Sequence, residues 1–215
     1  MKGLLIQFPA RWAAMPLAIA VVVILSACVS GGKQAPPDQP FDNSTAIAIA
    51  QATNVGGRMS RITQQVFDRA LVDYQPSGPQ LSRDERDVFE VVAFTLVQAA
   101  TESAAEDADL LFADDISRSF SAREQSVVLG FANSSFGRST LNELFGLVQQ
   151  TAEAEVSGLS VDMTDEAIAF VQTLRGQPPE VVRYLGLTID AVDDFALFLE
   201  RNIETLGRAL ERTAA

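Results

Sequence analysis

The sequence predicts an all-α protein, either a single helical bundle or an irregular helical array of about six helices. Three observations lead to this prediction. Apolar residues recur three and four positions apart over much of the chain, which is the spacing of one helix face. Capping boxes, in which a serine or threonine precedes a glutamate by three residues, occur at three places. No segment is typical of a sheet.

The first two helices are separated by glycines. A helix is expected over Ala46–Ala52, and it should fray or break at Gly56 and Gly57. A second helix begins at Arg58 and ends before Pro76. Its inward face is expected to consist of Met59, Ile62, Val66, Phe67, Ala70, Leu71 and Tyr74.

The third helix begins at the capping box of Ser82 and Glu85. The following Val88–Val97 segment is nearly all apolar and by itself could be a buried strand. The cap before it and the alanine-rich, acidic residues after it favour a helix. Because a helix that is apolar on all sides is typical of the middle of a bundle, we expect this segment to be enclosed.

Two further capping boxes, Ser121 with Glu124 and Thr140 with Glu143, predict helices on either side of a turn at residues 133–137. In the second of these helices the residues expected to face inward are Leu141, Leu144, Phe145, Val148 and Ala152.

The next helix is expected to follow a stop near Gly158, with Thr164 as its N-cap. It should end at the Gly176–Pro179 segment. The residues expected to face inward are Ile168, Val171 and Leu174.

The last helix is the most regular, because its apolar residues alternate three and four apart over three heptads. Phe195 and Phe198 widen the stripe, which favours a core helix of the same domain over a partner-binding helix. The stripe consists of Ile189, Val192, Ala196, Leu199, Ile203, Leu206 and Leu210.

The first 27 residues have the pattern of a secretory signal peptide. Lys2 and Arg11 precede the apolar run Met15–Leu25, and the small residues Ser26 and Ala27 follow it. The run is short for a transmembrane helix, which needs about 20 residues. An uncleaved N-terminal anchor is the alternative.

The sequence Leu25-Ser26-Ala27-Cys28 resembles the lipobox of bacterial lipoproteins, and Cys28 is the one cysteine of the chain. The resemblance covers residues 1–28 and implies cleavage between Ala27 and Cys28. It also implies a diacylglycerol thioether on the Cys28 sulfur and acylation of the new amino terminus. Because Val29 rather than aspartate follows, it implies the outer membrane with the body in the periplasm, ahead of the inner membrane or the cell surface.

Residues 28–43 are rich in proline and glycine and are predicted to form a lipidated tether. The fifteen residues that follow Cys28 span roughly 50 Å when fully extended and about 20 Å on average as a flexible coil. Residues 44–215 are then predicted to form one acidic, all-helical domain.

The charge and composition narrow the function. Without residues 1–27 the chain keeps 14 basic and 28 acidic residues, a net charge of −14. This balance argues against nucleic acid as a partner and against electrostatic attachment to anionic lipid. The chain has no histidine, which removes the usual nucleophile triads and the commonest metal ligand. We therefore predict no enzyme activity, no metal and no cofactor other than the covalent lipid at Cys28.

An acidic stretch lies between Arg86 and Arg118, where the chain has eight acids and no basic residue. Glu102 and Glu106 share a helix face, with Asp109 close by. We interpret the stretch as a solvated face that keeps the protein soluble. A docking face for a basic partner and a Ca²⁺ or Mg²⁺ site are alternatives. The acids are Asp87, Glu90, Glu102, Glu106, Asp107, Asp109, Asp114 and Asp115.

Two other groups of charges are interpreted as surface features. Asp193 and Asp194 are expected to be solvated, as are the acids of residues 162–166. Glu204 and Arg208 are expected to form an ion pair on a helix surface, worth a few tenths of a kcal/mol.

Together these observations predict a membrane-anchored bacterial lipoprotein that acts as a structural or accessory interaction subunit in the cell envelope, with an envelope protein as its partner. The alternative is a periplasmic module that binds a small apolar ligand between phenylalanine-rich helices. A carboxylate-dependent hydrolase, which needs two carboxyls about 5–10 Å apart in a cleft, is less favoured. The phenylalanines concerned are Phe89, Phe94, Phe131, Phe145, Phe195 and Phe198.

Overall fold

The structure, a computed structural model, describes residues 43–73, 82–157 and 163–213. Within these ranges the chain forms seven α-helices and no strand, which confirms the all-α prediction. The predicted signal peptide, the lipobox with Cys28 and nearly all of the predicted tether lie outside the described residues. The helices are α1 (Asn43–Thr53), α2 (Val55–Asp73), α3 (Arg83–Ser119), α4 (Ala122–Asn133), α5 (Ser135–Val156), α6 (Thr164–Thr173) and α7 (Pro179–Thr213).

Two long helices, α3 and α7, form the frame of the fold. They have 37 and 35 residues, so each is about 50–55 Å long. They run antiparallel, because Asn202 of α7 donates a hydrogen bond to the carbonyl oxygen of Ala100 (3.3 Å) whereas Asp190 lies near Asp115. The most extensive contact between helices is theirs. Helices α1 and α2 pack on α3, α4 packs on α1 and α7, α5 packs on α2 and α4, and α6 packs on α5.

Most buried apolar residues belong to one main cluster, to which all seven helices contribute. On α3 the cluster includes Ala104 and Ala108, followed by Phe112. The small residues let α2 approach α3 closely, and a Cβ atom on Gly56 would lie 2.6 Å from the carbonyl oxygen of Ala105. Gly56 is therefore required by the close approach of two helix backbones.

The break between α1 and α2 lies at Asn54, so the prediction that the glycines break the helix was wrong. Asn54 has a φ of 53°, a left-handed conformation that asparagine tolerates better than most residues. Gly56 and Gly57 lie in the first turn of α2, which begins at Val55 rather than at Arg58.

Three other helices hold this corner, which we define as residues Thr53–Arg58. Asp109 of α3 accepts a hydrogen bond from the backbone N–H of Gly56 (2.9 Å). The buried hydroxyl of Tyr184 on α7 is hydrogen-bonded to the hydroxyl of Thr53 (2.6 Å), and burial raises the pKa of Tyr184 to about 12. The Arg58 guanidinium donates a hydrogen bond to the side-chain amide oxygen of Asn142 on α5 (2.8 Å). The corner is thus fixed from three sides.

The apolar segment Val88–Val97 is not enclosed, contrary to the prediction. Its inner side alone is buried, where Ala93, Leu96 and Val97 pack with Phe67 of α2 in a second, smaller cluster. The physical reason is that α2 and α7 both pack on this inner side. Within the described ranges no helix covers the outer side, so the middle of the protein is built by the second half of α3 instead.

The capping box at Ser121 and Glu124 is confirmed. The Ser121 hydroxyl accepts from the backbone N–H of Glu124 (3.4 Å), and the Glu124 carboxylate accepts from the backbone N–H of Ser121 (2.8 Å). Glu124 also pairs with Arg183 of α7 (2.5 Å), whose guanidinium lies over the ring of Phe120. Glu124 therefore takes part both in the capping box that begins α4 and in the ion pair that links α4 to α7.

The prediction that Thr140 caps a helix was wrong. Thr140 lies inside α5 and its hydroxyl donates to the backbone of the preceding turn (3.0 Å). The N-cap is Ser134, whose side chain accepts a hydrogen bond from the backbone N–H of Gly137 (2.8 Å). Ser134 alone separates α4 from α5, where a turn of five residues was predicted.

Helix α3 begins directly after Ser82, as predicted. The side chain of Glu85 is outside the described part.

The predicted inward faces are confirmed for α5 and wrong in one position for α6. In α6, Ile168 is 40% exposed, whereas Ala167 and Phe170 are buried, so the apolar face is rotated from the predicted one. Thr164 is the first helical residue, and Met163 occupies the N-cap without a side-chain hydrogen bond. The helix ends before Gly176, as predicted. The confirmed inward residues of α5 are Leu141, Leu144, Phe145, Val148 and Ala152.

The interpretation of α7 as a core helix of the same domain is confirmed. Ile189, Val192 and Phe195 are buried in the main cluster. Farther along, Ile203 and Leu206 are half-buried and pack on the smaller cluster. The predicted surface pair of Glu204 and Arg208 is also present, with 4.0 Å between its charged atoms.

Replacing Gly137 by alanine is expected to destabilise the fold, whereas the same change at Gly146 in the same helix should not. A Cβ atom at Gly137 would lie 1.9 Å from the Phe131 carbonyl oxygen, so the junction of α4 and α5 must shift, at a cost of about 2 kcal/mol or more. Apart from the backbone of its own helix, no heavy atom lies within 4 Å of a Cβ atom at Gly146, where alanine should stabilise by about 0.5–1 kcal/mol. Urea unfolding of both variants measures the difference. Equal stabilities would contradict this account of the junction.

Candidate functional site

The first candidate site is an exposed strip along α3. We define the α3 outer strip as Val88, Val91, Val92, Thr95, Ala99, Glu102, Glu106 and Leu110. At 3.6 residues per turn, these positions fall within about a third of the helix circumference. All eight are exposed. The strip is therefore one continuous surface about 33 Å long at 1.5 Å per residue.

The chemistry of the α3 outer strip changes along its length. Val88 is 58% exposed and Val91 is 66% exposed, which is unusual for apolar side chains so close together. The acidic residues Glu102 and Glu106 follow on the same face, as predicted. Leu110, at 74% exposure, ends the strip. An apolar surface is therefore followed by an acidic one.

Asp109, which was expected to lie beside Glu102 and Glu106, has a different role. Its carboxylate is half-buried and accepts the hydrogen bond from Gly56 at the first turn of α2. Burial raises the pKa of Asp109, while the hydrogen bond from Gly56 opposes that rise. Asp109 is thus a structural cap for α2, supplied from a neighbouring helix.

The second candidate site is a carboxylate cluster between the two long helices, which we define as Asp115 of α3 with Asp190, Asp193 and Asp194 of α7. Burial, followed by the charges of Asp190 and Asp194, raises the pKa of Asp193 to about 6. Burial and the charge of Asp115 raise the pKa of Asp190, and burial with the charges of Asp115 and Asp190 raises that of Asp194. Asp193 and Asp194 are both half-buried on α7, so the expectation that they are simply solvated was wrong.

No group of three or more histidine, cysteine, aspartate or glutamate residues in the described ranges is arranged to hold a metal ion. The carboxylate cluster is instead a set of like charges that repel one another. Because the pKa of Asp193 is raised to about 6, this carboxyl gains a proton as the pH falls toward 6 and below.

The six phenylalanines that were expected to line a ligand cavity are divided between the interior and the surface, since Phe198 packs on the main cluster whereas Phe94 is 39% exposed. Phe131, Phe145 and Phe195 are buried in the main cluster, and Phe89 packs on the smaller one. A cavity of about 10 Å³, room for about one water molecule, lies between α2 and α3. It is lined by Gln64, Phe67, Phe94, Val97, Gln98 and Thr101. This cavity is too small for an organic ligand.

By length and composition alone, the segment Arg86–Ser119 of α3 could cross a membrane. The packing of this helix argues for a different role. Its second half carries Ala104, Phe112 and Ile116 into the main cluster with six other helices. We therefore treat α3 as the central helix of a folded body.

Sequence patterns missed two features of these sites. The outward valines were expected to be inside, because a uniformly apolar segment does not indicate which side its neighbours cover. The burial of Asp193 had a signal, since Asp190, Asp193 and Asp194 flank the apolar stripe of α7 at Ile189 and Val192. The predicted lipidation and cleavage residues, Cys28 and Ala27, lie outside the described residues.

No protein-family model, no curated protein and no solved structure matches this chain.

The carboxylate cluster predicts that the folded protein becomes more stable as the pH falls from 7 to 5. The pKa values of its members are raised above those of the unfolded chain, so the folded state binds more protons in this range. Asp193→Asn cannot ionise, and it should raise the free energy of unfolding at pH 7 and reduce the gain between pH 7 and pH 5. Urea unfolding at the two pH values measures both effects.

Asp193→Glu, which keeps an ionisable carboxyl at the same position, supplies the matched control and should retain the gain between pH 7 and pH 5. Glu124 does not contribute to the gain in stability between pH 7 and pH 5. Burial acts to raise its pKa, but hydrogen bonds from Ser121 and the charge of Arg183 lower it below 4.5, so its contribution is lost only at lower pH. An unchanged gain in Asp193→Asn would contradict the proposed proton uptake.

Proposed function

We propose that this protein is a lipid-anchored accessory subunit of the bacterial cell envelope, which binds another envelope protein and performs no catalysis. The lipid on Cys28 would hold it at the periplasmic face of the outer membrane. The observation that carries the interaction role is the α3 outer strip, an exposed apolar surface on a helix whose opposite side belongs to the protein interior.

The exposed valines support a binding role because a soluble body gains nothing from them. Val88, Val91 and Val92 adjoin on one face and keep apolar area in contact with water, at a cost of roughly 25 cal/mol per Å². Contiguous exposed apolar surface is typical of protein interaction sites. A partner that covers these side chains would recover that free energy.

The anchor is proposed from the sequence pattern around Cys28. A single acyl chain binds a membrane only marginally, and stable attachment takes two or more chains. The lipobox implies several acyl chains on one residue. The predicted tether of residues 28–43 would then let the helical body reach roughly 50 Å from the membrane at full extension.

The non-catalytic role is proposed from the side chains that the chain offers. It has no histidine, and the members of the carboxylate cluster raise one another's pKa values. A glycan hydrolase also needs a cleft beside its carboxyls. The phenylalanines buried in the main cluster leave the ligand-binding alternative without a favouring observation.

The anchor is tested by Cys28→Ala, which should abolish acyl labelling and release the protein from the membrane fraction. Val29→Asp is the matched variant, since it keeps the cysteine. By the sorting rule of the lipoprotein class, Val29→Asp should remain acylated and move to the inner membrane. Membrane retention of Cys28→Ala would indicate an uncleaved N-terminal anchor and would overturn the lipoprotein proposal.

The interaction role is tested by chemical crosslinking of the full chain in cells, followed by mass spectrometry. We expect one envelope protein in a fixed ratio to this chain. Crosslinks to abundant lipoproteins alone, at the same level as for an unrelated lipoprotein, would overturn this role.

A further inference from the structure

We infer that the α3 outer strip binds an amphipathic helix of the partner protein, one that has an apolar stripe along one half and lysine or arginine along the other. This inference rests on the proposed interaction role and names the partner surface. It combines the spacing of the strip, its change of chemistry and the absence of basic residues on α3 between Arg86 and Arg118.

The spacing of the strip suits a helix. Six residues of the strip follow one another at intervals of four, three, four, three and four positions. They are Val88, Val92, Thr95, Ala99, Glu102 and Glu106. These intervals are those of a helix seam that receives the side chains of a second helix. Thr95 and Ala99 are small, so a second helix can approach closely in the middle of the strip. A partner helix of about six turns would cover it.

The charges of the strip specify the partner further. No basic residue occurs between Arg86 and Arg118, and Glu102, Glu106 and Asp107 are exposed. None of the ion pairs between described residues involves these three acids. Glu102 accepts a hydrogen bond from the neutral side chain of Gln98 (3.0 Å), so basic side chains on a partner would find carboxylates there whose charge no described ion pair balances. Such pairs would set the register of the partner and speed its association more than they would add affinity.

Other occupants fit the strip less well. A second copy of the chain would bring another acidic protein, of net charge −12, against the carboxylates. A membrane surface would place Glu102 and Glu106 against lipid headgroups that carry negative charge. The tether itself, residues 28–43, offers one basic residue and few apolar ones. A basic amphipathic helix satisfies both halves of the strip.

A synthetic peptide probe tests the inference on the full chain. The peptide is a 22-residue helix with leucine at the seam positions of one half and lysine at those of the other, and it carries a fluorophore. Fluorescence anisotropy should show binding that weakens about tenfold in Glu102→Gln/Glu106→Gln and also in Val88→Asp/Val91→Asp. Asp165→Asn/Glu166→Gln on α6 is the matched control and should bind the peptide unchanged. Circular dichroism verifies that each variant is folded.

Three outcomes of the peptide experiment would overturn the inference. The first is equal binding by the wild type and the Glu102→Gln/Glu106→Gln variant. The second is equal binding of a scrambled peptide of the same composition. The third is equal binding of a peptide in which glutamate replaces lysine.

Site-specific photo-crosslinking in cells separates this inference from the proposed function. A photoreactive amino acid at Val91 and at Leu110 should crosslink to the same partner protein, through a peptide that contains apolar and basic residues at helical spacing. The same amino acid at Ser126, which is exposed on α4, is the control and should give no such product. Peptides of this chain itself, or lipid products alone, would overturn the inference. A partner captured from other faces but not from the strip would overturn the inference and leave the proposed function standing.

Discussion

The antiparallel contact between α3 and α7 determines where the other helices can lie. These two helices supply the longest continuous surface in the described chain, and α1, α2 and α4 each pack on one or both of them. Alanines at every fourth position of α3, from Ala100 to Ala108, keep that surface shallow. Large side chains from α7, among them Tyr184 and Phe195, are buried in the same main cluster as Ala104 and Ala108. Interiors are packed as densely as organic crystals, so the sizes of the side chains in this cluster fix how closely the helices approach.

The same contact also carries an electrostatic cost. Four carboxylates, Asp115 on α3 and three on α7, lie where the helices meet, and their charges repel. The apolar residues beside them, such as Ile189 and Val192, offset this cost by burial. Arg118 opposes the charge of Asp115, but burial and the charge of Asp114 still raise the pKa of Asp115.

The helices and their ends could largely be predicted from local sequence, because the signals are local. The box of Ser121 and Glu124 and the stop at Gly176 act within one turn of the chain, and both predictions are confirmed. Which side of a helix is covered depends on distant neighbours instead. The outward valines of α3 therefore could not be predicted from an apolar segment, and Thr140 was mistaken for a cap because a sequence box does not reveal whether the helix has already begun. The candidate sites depend on such distant contacts, and this is why most of their geometry needed the structure.

The corner between α1 and α2 has a consequence for the order of folding. Its hydrogen bonds are made with Asp109 of α3, Asn142 of α5 and Tyr184 of α7. The two partners in each bond are separated along the chain by 53, 84 and 131 positions, respectively. Closing such long loops costs chain entropy before the contacts stabilise anything. The corner should therefore form late, after α3, α5 and α7 have assembled. The helix that adjoins the predicted tether would then be the last part of the body to be secured, although it is the first to leave the ribosome.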